Sequence, residues 1–488
     1  RRHTDDRDGV PMGGTVKKIH LIGVCGVAMG SLAGMLKERG FEVTGSDEAV
    51  YPPMSDMLAG WGIEVCRGYR GGNVGGADLV VIGNAISRGN AEVEHVLERR
   101  IPYCSMAQAL RDFFLEGKEV IAVAGTHGKT TTTALLSHIL VEAGYAPSFF
   151  VGGVPKNYGS NFRLGGGEHF VIEGDEYDSA YFEKVPKFAI YRPQHLVLTS
   201  LEFDHADIYR DLEEIALWFR RLVTMVPSNG SIVYSAHYRA LAEVVARSFA
   251  PRAGFGGPGA DYSCEDRGAD GEWSNLMLCT PAGDGIALRS RVFGEFNRAN
   301  IAAASAMALR LGVTPEALKR GVESFEGVRR RQELIYAREG FRVYEDFAHH
   351  PTAIAGVISM MRERFPSSRL WAVYEPRSAT SRRNVFQNDL PGAFGQADRV
   401  LIKTPYRLEG IPEKDRIDIE RVVRDINERL GNARLFGDTR SIVTALFDGL
   451  DRGEDNVVLI MSNGGFDGIY DLVREGADAF YAAGATIN

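Results

Sequence analysis

The sequence predicts an α/β protein that is built from three consecutive units, and three observations support this fold class. The length of 488 residues corresponds to about three domains at ~150 residues per domain. The composition, 44% hydrophobic and 25% charged, excludes a disordered, collagen-like or coiled-coil chain. Short apolar runs, typical of buried strands, alternate along most of the chain with stretches in which apolar residues have helical spacing. We predict a flexible tail at 1–17 and units at 18–117, 118–327 and 328–488.

The first unit opens with a predicted strand that ends in a glycine turn. Gly23, Gly26 and Gly30 form the turn, a helix follows, and the next predicted strand ends at Asp47. This order is typical of a doubly wound sheet. The turn departs from the dinucleotide pattern G-x-G-x-x-G because Cys25 occupies the second glycine position. A diphosphate at the start of the helix, with Asp47 near a ribose or base, and a tight turn without a ligand are both open interpretations.

The second unit carries the strongest local signal, a glycine-lysine loop between a predicted strand and a helix. Backbone N–H groups at the start of a helix can surround a polyphosphate, and the helix dipole adds partial positive charge. A lysine there supplies a full charge near the β and γ phosphates, and the following threonine hydroxyl suits Mg²⁺. The loop is shorter than the general phosphate loop, with two residues between its first glycine and the Gly-Lys pair. Its residues are Gly125, Thr126, His127, Gly128, Lys129, Thr130 and Thr131.

Acidic clusters follow two further predicted strands of this unit. Four carboxylates lie between Glu173 and Asp178, and Glu202-Phe-Asp-His205-Ala-Asp207 follows the next buried strand. The carboxyl ends of parallel strands are where open α/β sheets place ligands. Carboxylates at that edge suit a cation beside phosphates, although a solvated acidic loop is the alternative for the first cluster.

Side chains near the second boundary and beyond it complete the candidate site. Asn297 and Asn300 lie three residues apart at the start of an alanine-rich helix, so their amides share a face or cap the helix. In the third unit Asp346 follows a strand, and the pair at 349–350 suggests zinc, but no third ligand has useful spacing. Arg377 follows another strand and suits a carboxylate, with a surface salt bridge as an equal alternative.

Taken together, these motifs resemble the Mur ligase family, the ATP-dependent amide-forming enzymes of bacterial cell-wall synthesis. The resemblance covers about residues 18–480. It implies an N-terminal Rossmann-like UDP-binding domain, a central P-loop ATPase domain and a C-terminal Rossmann-like ligase domain. Five stretches carry it: Gly-Thr-His-Gly-Lys-Thr-Thr at 125–131, Glu-Gly-Asp-Glu-Tyr-Asp at 173–178, Glu-Phe-Asp-His-Ala-Asp at 202–207, Phe-Asn-Arg-Ala-Asn at 296–300 and Asp-Phe-Ala-His-His-Pro at 346–351.

The resemblance also implies a substrate. Family members differ in the amine that they attach to UDP-N-acetylmuramate, and stretches at 83–90, 201–208 and 375–378 are similar to those of members that attach L-alanyl-γ-D-glutamyl-meso-diaminopimelate. We therefore expect ATP, UDP-N-acetylmuramate and this murein tripeptide as substrates, with an acyl phosphate as intermediate. Ligation of free L-alanine and a non-catalytic ATP-binding sensor are the alternatives.

Residue roles follow from the same resemblance. The catalytic residues are expected to be Lys129, Glu173 and His205, with one Mg²⁺ on Thr130 and Glu173 and a second on Glu173 and His205. Because one ligand is a histidine, Mn²⁺ is expected to substitute. ATP is expected to contact the loop at 125–131 together with Asn297, Asn300, Arg331 and Asp346, with Arg329 or Arg330 as alternatives to Arg331. The UDP-sugar is expected to contact Gly23, Gly26, Met29, Gly30 and Asp47. The peptide is expected to contact Arg377 and His349.

Charge and cysteine content restrict partners and location. The formal net charge is -8, so no global positive field favours nucleic acid or an anionic membrane. The five cysteines lie far apart without zinc spacing, which is typical of reduced thiols. No signal-peptide pattern or membrane-length apolar run is seen. We expect a cytoplasmic monomer.

Overall fold

The computed structural model describes residues 16–51, 53–204, 208–257 and 259–482. Most of the predicted tail at 1–17, and the predicted metal ligand His205, therefore lie outside the described residues. The predicted α/β class is confirmed, since three large parallel or mostly parallel sheets follow one another along the chain. None of the helices in the described part combines the length and the apolar character that crossing a membrane requires. All five cysteines are free.

The first sheet is wholly parallel and is bordered by four helices. Its elements are β1 (Lys18–Ile22), α1 (Val27–Glu38), β2 (Glu42–Asp47), α2 (Met54–Gly60), β3 (Glu64–Arg67), β4 (Leu79–Ile82), α3 (Ala91–Arg99), β5 (Tyr103–Ser105) and α4 (Met106–Leu110). The strand order is β3-β2-β1-β4-β5. The order reverses between β1 and β4, so a crevice opens beyond the carboxyl end of β1, where the glycine turn begins.

The second unit contains a seven-stranded sheet, a two-stranded ribbon and a three-stranded antiparallel sheet. Its strands are β6 (Glu119–Ala124), β7 (Ser148–Phe150), β8 (Phe162–Arg163), β9 (His169–Gly174), β10 (Asp178–Ala180), β11 (Glu183–Pro186), β12 (His195–Leu198), β13 (Ser231–Ser235), β14 (Arg252–Phe255), β15 (Ser263–Asp270), β16 (Trp273–Cys279) and β17 (Ile286–Ser290). Its helices are α5 (Lys129–Glu142), α6 (Leu212–Met225), α7 (Arg239–Val245), α8 (Glu295–Arg310) and α9 (Pro315–Ser324). The main order is β14-β13-β12-β6-β9-β7-β8, so β6 lies between β12 and β9.

The third unit forms a six-stranded sheet in the order β18-β19-β23-β20-β21-β22, in which only the edge strand β18 is antiparallel to its neighbour. Its elements are β18 (Glu333–Arg338), β19 (Phe341–Asp346), α10 (Pro351–Arg364), β20 (Arg369–Tyr374), β21 (Arg399–Lys403), α11 (Ile419–Leu430), β22 (Ala433–Phe436), α12 (Thr439–Asp448), β23 (Asn456–Met461) and α13 (Ile469–Ala482).

Strand β6 shows why the sequences of the central strands are continuous apolar runs. Val120 and Ala122 face one hydrophobic core, whereas Ile121 and Val123 face the other. A parallel strand with helices on both faces must be apolar at every position, although its side chains alternate. The first of these cores continues into the first sheet and includes Leu21. The first two units therefore share one hydrophobic core, while the third sheet has separate cores on its two faces.

The second and third units meet where α8 packs against α10. An ideal Cβ on Gly356 would lie 1.7 Å from the ring of Phe296, so only glycine leaves room for the ring at this position. Arg298 of α8 pairs with Glu363 of α10 at 3.2 Å. The two helices therefore form a close contact between the units, supported at its edge by an ion pair.

Candidate active site

The glycine-lysine loop is held tightly between β12 and α8. Gly125 has φ +138°, and a Cβ there would lie 2.2 Å from Thr199 Oγ1 and 2.7 Å from the backbone nitrogen of Ser200. Gly128 has φ +79°, and a Cβ there would lie 2.5 Å from Asn300 Oδ1. Both conformations favour glycine. No described side chain caps the start of α5, so this 14-residue helix leaves its first N–H groups available to an anion.

Lys129 is partly buried at the start of α5 against an acidic partner. Its Nζ lies 2.8 and 3.0 Å from the two carboxylate oxygens of Glu176 and donates to Gly125 O at 2.6 Å. Burial opposes the ammonium charge, but the carboxylates of Glu176 and Glu173 outweigh it and raise the pKa of Lys129. Glu176 is only 3% exposed. The alternative of a solvated acidic loop is therefore wrong for this residue.

Thr130 and Glu173 form a group of oxygen ligands beside the loop. Thr130 Oγ1 donates to Glu173 Oε1 at 3.0 Å, and the backbone N–H of Gly152 donates to Oε2 at 2.7 Å. A Cβ on Gly152 would lie 2.7 Å from Oε2. Burial raises the pKa of Glu173 despite the nearby Lys129 charge. A partly buried carboxylate and a hydroxyl are oxygen donors of the kind that Mg²⁺ prefers, so these two residues fit the ion.

A chain of hydrogen bonds links α8 to the third unit. Asn300 Nδ2 donates to Asn297 Oδ1 at 3.2 Å, and Asn297 Nδ2 donates to Gln332 Oε1 at 2.8 Å. The backbone N–H of Gln332 then donates to Asp346 Oδ2 at 2.9 Å. The N-cap of α8 is Gly294 and makes no side-chain cap, so the capping alternative for the two asparagines is wrong. The structure thus brings Asn297, Asn300 and Asp346 together.

The three adjacent arginines differ in their surroundings. Arg329 is exposed. Arg330 Nε donates to Glu345 at 2.6 Å, and its Nη2 donates to two backbone carbonyls in the turn that follows β23. The guanidinium of Arg331 lies over the ring of Phe347 at 4.9 Å and has no ion-pair partner among the described residues. Arg330 is therefore engaged within the third unit, whereas Arg331 remains the candidate for a phosphate contact.

The structure also brings together three residues that the sequence analysis did not predict to lie close to one another. Ligand atoms of His127, Glu202 and His350 all lie within 4.8 Å of one another. Both ring nitrogens of His350 are engaged, however. Nδ1 accepts from the backbone N–H of Thr352 at 3.2 Å, and Nε2 lies 3.3 Å from Phe203 O. The group is thus a hydrogen-bonded contact between two units rather than an open metal site.

In the first unit, Asp47 organises the glycine turn. Its carboxylate accepts from the backbone N–H groups of Cys25 at 2.9 Å and of Ala49 at 3.0 Å. A Cβ on Gly30 would lie 2.2 Å from Met54 Sδ, so Gly30 permits close packing of α1 against α2. These contacts fix the conformation of the turn, and the contact of Asp47 with a ribose or base stays a prediction.

The remaining residues of the turn lie around the start of α1. Gly23 has φ +82°, and its N–H donates to the carbonyl of Ser46 at 2.9 Å. Gly26 is the N-cap of α1, without a side-chain cap, and Met29 is buried in the first turns of the helix. The backbone of this turn therefore presents the N-terminus of α1 at the crevice between β1 and β4.

The predicted peptide ligands lie at the carboxyl edge of the third sheet. The guanidinium of Arg377 stacks over the ring of Tyr406 at 3.7 Å and lies 3.4 Å from a carboxylate oxygen of Glu375. Glu375 also pairs with Lys403 at 3.0 Å. His349 Nδ1 lies 3.0 Å from the carbonyl of the residue two before it, and burial lowers the pKa of this imidazole. Their contact with a peptide remains a prediction.

Comparison with known proteins connects this geometry to one family. Three family descriptions match successive parts of the chain: "Mur ligase family, catalytic domain" over residues 18–117, "Mur ligase middle domain" over 123–308 and "Mur ligase, glutamate ligase domain" over 330–464.

Curated relatives match over most of their length. The chain is 40% identical over 462 residues to the UDP-N-acetylmuramate–L-alanyl-gamma-D-glutamyl-meso-2,6-diaminoheptandioate ligase of Escherichia coli, covering 94% of this chain and 98% of that protein. Among solved structures, a murein peptide ligase from Psychrobacter arcticus matches with TM-score 0.70 and 33% identity, over 94% of this chain and 98% of that one. The UDP-N-acetylmuramate–alanine ligase of Thermotoga maritima matches with TM-score 0.78 and 23% identity, over 95% and 99% of the two chains, which supports the fold alone.

Proposed function

The chain belongs to the Mur ligase family, and from this membership we propose that it joins L-alanyl-γ-D-glutamyl-meso-diaminopimelate to UDP-N-acetylmuramate with cleavage of ATP to ADP and phosphate. The observation that carries the proposal is the 40% identity to the Escherichia coli enzyme of that name, because it extends over 94% of this chain. The arrangement of acidic and basic side chains at the carboxyl ends of β6, β9 and β12 supports an ATP-dependent ligation.

The reaction must convert a carboxylate, which is a poor electrophile, into an amide. An oxygen of the lactyl carboxylate attacks the γ phosphorus of ATP, and the bond between that phosphorus and the β–γ bridging oxygen breaks to release ADP. The amine of the peptide's L-alanine then attacks the acyl carbon, loses a proton and expels inorganic phosphate. Two anions must approach each other in the first step, so positioning and charge neutralisation should dominate catalysis.

Within this scheme Lys129 neutralises the transferring phosphoryl group. Its charge is paired with the carboxylate of Glu176 at 2.8 Å. Phosphate oxygens of ATP must therefore compete with this carboxylate for the ammonium. The backbone N–H groups of the loop at 125–131 and the start of α5 are proposed to bind the remaining phosphate oxygens, with Thr131 in the first turn of the helix.

We propose Mg²⁺ as the resident ion, with Mn²⁺ as a substitute. Thr130 and Glu173 would hold one ion, and Glu173 together with His205, which lies outside the described residues, is proposed to hold a second. When bound, the ions would neutralise charge on the phosphate oxygens and the substrate carboxylate. The position of Glu173 supports this role, because Thr130 and the backbone N–H of Gly152 each donate to one of its carboxylate oxygens.

The third unit is proposed to complete the nucleotide site. The hydrogen-bonded chain from Asn300 through Asn297 to Asp346 crosses from α8 to β19, and Arg331 lies beside it. Asp346 is 2% exposed, and burial raises the pKa of its carboxyl group. Docking of this unit over the phosphates would exclude water from the acyl phosphate, which hydrolysis would otherwise destroy.

The direct experiment measures phosphate release with ATP, Mg²⁺ and UDP-N-acetylmuramate while the amine is varied. The tripeptide should give faster release than free L-alanine. Equal or faster release with L-alanine would assign the chain to the alanine-ligating members, and ATP binding without substrate-dependent release would identify a sensor. Oxygen-18 in the lactyl carboxylate should appear in the released phosphate, since one carboxylate oxygen bridges to phosphorus in the intermediate.

We further propose that the protein acts as a cytoplasmic monomer. The described residues of one chain supply the phosphate loop, the acidic ligands and the third-unit contacts, so a single copy contains the proposed nucleotide site. Light scattering at working concentration should give the mass of one chain, 53.5 kDa, and cell fractionation should place the protein with other cytoplasmic enzymes.

A further inference from the structure

The carboxylate of Glu202 accepts contacts from three separate parts of the chain. Thr352 Oγ1, in the first turn of α10, donates to Oε2 at 2.8 Å, and His127 Nε2 in the phosphate loop lies 3.3 Å from the same oxygen. Tyr238 OH donates to Oε1 at 3.0 Å. Two units of the protein therefore share one carboxylate, and a single oxygen of it contacts both.

The backbone of Glu202 is also bound to the phosphate loop. Its N–H donates to Thr126 Oγ1 at 2.9 Å, and the same hydroxyl donates to Glu202 O at 3.0 Å. Glu202 thus holds two consecutive loop residues, Thr126 through the main chain and His127 through the side chain. A displacement of Glu202 must move the loop segment that immediately precedes Lys129.

Charge and packing favour this arrangement over an incidental contact. Burial would raise the pKa of Glu202, but hydrogen bonds from His127, Thr352 and Tyr238 lower it to about 2, so the group is an ionised acceptor. The rings of His127 and His350 pack with their centroids 4.7 Å apart. Hydrogen bonds to a charged acceptor in such a partly buried place are among the stronger ones in proteins.

The third-unit partners belong to the turn that carries candidate site residues. Asp346 ends β19, His349 follows, and His350 is the N-cap of α10, two residues before Thr352. Docking that places Thr352 on Glu202 therefore also places Asp346 and His349 relative to the phosphate loop.

We infer that Glu202 is a positioning residue that couples docking of the third unit to the conformation of the phosphate loop, through the shared hydrogen bonds of Thr352 and His127. The inference rests on the proposed ATP-dependent reaction. Thr352 completes the set of hydrogen bonds only when the third unit is docked. ATP can therefore bind to the loop without docking of the third unit, whereas phosphoryl transfer requires the docked arrangement.

The test compares Thr352→Val, which removes only the hydroxyl, with Thr352→Ser, which retains it. We expect Thr352→Val to lower kcat by about tenfold to a hundredfold, the range for a hydrogen bond to a charged group, with the Kd for ATP unchanged in the absence of the other substrates. Thr352→Ser should keep kcat within about threefold of the wild type. A kcat for Thr352→Val equal to that of Thr352→Ser would overturn the inference.

A second measurement does not depend on the reaction. Hydrogen exchange of the amides at 125–128 should accelerate in Thr352→Val but not in Thr352→Ser, because the loop loses its link to the third unit. Unchanged exchange would show that Thr352 supports only its own helix.

A double variant tests whether Thr352 acts through Glu202. In a Glu202→Gln background, adding Thr352→Val should change kcat little further. Additive losses of kcat would contradict the inference that the two residues act through the same hydrogen bond. If the wild type releases no phosphate, the proposed function fails, while the exchange result still tests the coupling.

Discussion

Replacing Lys129 with methionine separates the structural from the catalytic role of this side chain. The ammonium contacts both oxygens of Glu176, which is 3% exposed. Removing one partner of a buried ion pair leaves an uncompensated charge and costs about 3–5 kcal/mol. Lys129→Met should therefore lower the free energy of unfolding of the central unit by about 3 kcal/mol at neutral pH.

Adding Glu176→Gln provides the matched control. The double variant has no buried charge to compensate, so most of the lost stability should return. Catalysis should not return, because nothing replaces the cation at the phosphoryl group. A loss of about 3 kcal/mol in transition-state stabilisation corresponds to a fall in turnover of about 150-fold in both variants.

Urea unfolding followed by intrinsic fluorescence and a phosphate-release assay measure the two effects on the same preparations. Turnover of Lys129→Met within tenfold of the wild type would refute the catalytic assignment. A double variant as unstable as the single one would refute the ion-pair explanation of the stability loss.

Two further predictions concern pH and the glycine loop. Burial and the adjacent His127 lower the pKa of His350 to about 4. The neutral imidazole therefore contributes fully to the free energy of unfolding above pH ~6.5. This contribution, at most about 3 kcal/mol, is lost as the pH falls towards 4. His350→Asn keeps a residue favoured as an N-cap and should flatten the fall of the thermal midpoint below pH 6.5, which an unchanged slope would contradict. Gly125→Ala should abolish binding of a fluorescent ATP analogue, because its Cβ would meet Thr199 and backbone. Gly144→Ala, also at positive φ but with open space, should cost only about 1 kcal/mol and leave binding intact. Equal binding by both variants would contradict the argument.

Local patterns predicted the elements that are apolar, regular or rich in glycine. Strand β6 and the loop at 125–131 were predictable because a buried parallel strand and a phosphate loop each impose their own residue types. The strand-end acids could be assigned to one edge for the same reason, since parallel strands share their direction. The strands β18 and β22 were not predicted, because edge strands with exposed positions lack a continuous apolar run.

Local sequence patterns could not predict the contacts between distant segments of the chain. The prediction that no third ligand accompanies His349 and His350 considered only spacing along the chain, whereas folding places Glu202 and His127 beside His350. No periodicity connects residues that lie more than a hundred positions apart. The acidic motif after β12 was a usable signal for Glu202, but its partner Thr352 is an ordinary helix-start residue.

The contact of Phe296 with Gly356 has a consequence for how movement spreads through the protein. Phe296 immediately precedes Asn297, so one turn of α8 both touches the last unit and faces the proposed nucleotide site. The ring of Phe296 occupies the space that a side chain at Gly356 would fill. A rotation of the last unit about this contact would therefore move the neighbouring amides of Asn297 and Asn300, which we propose contact ATP.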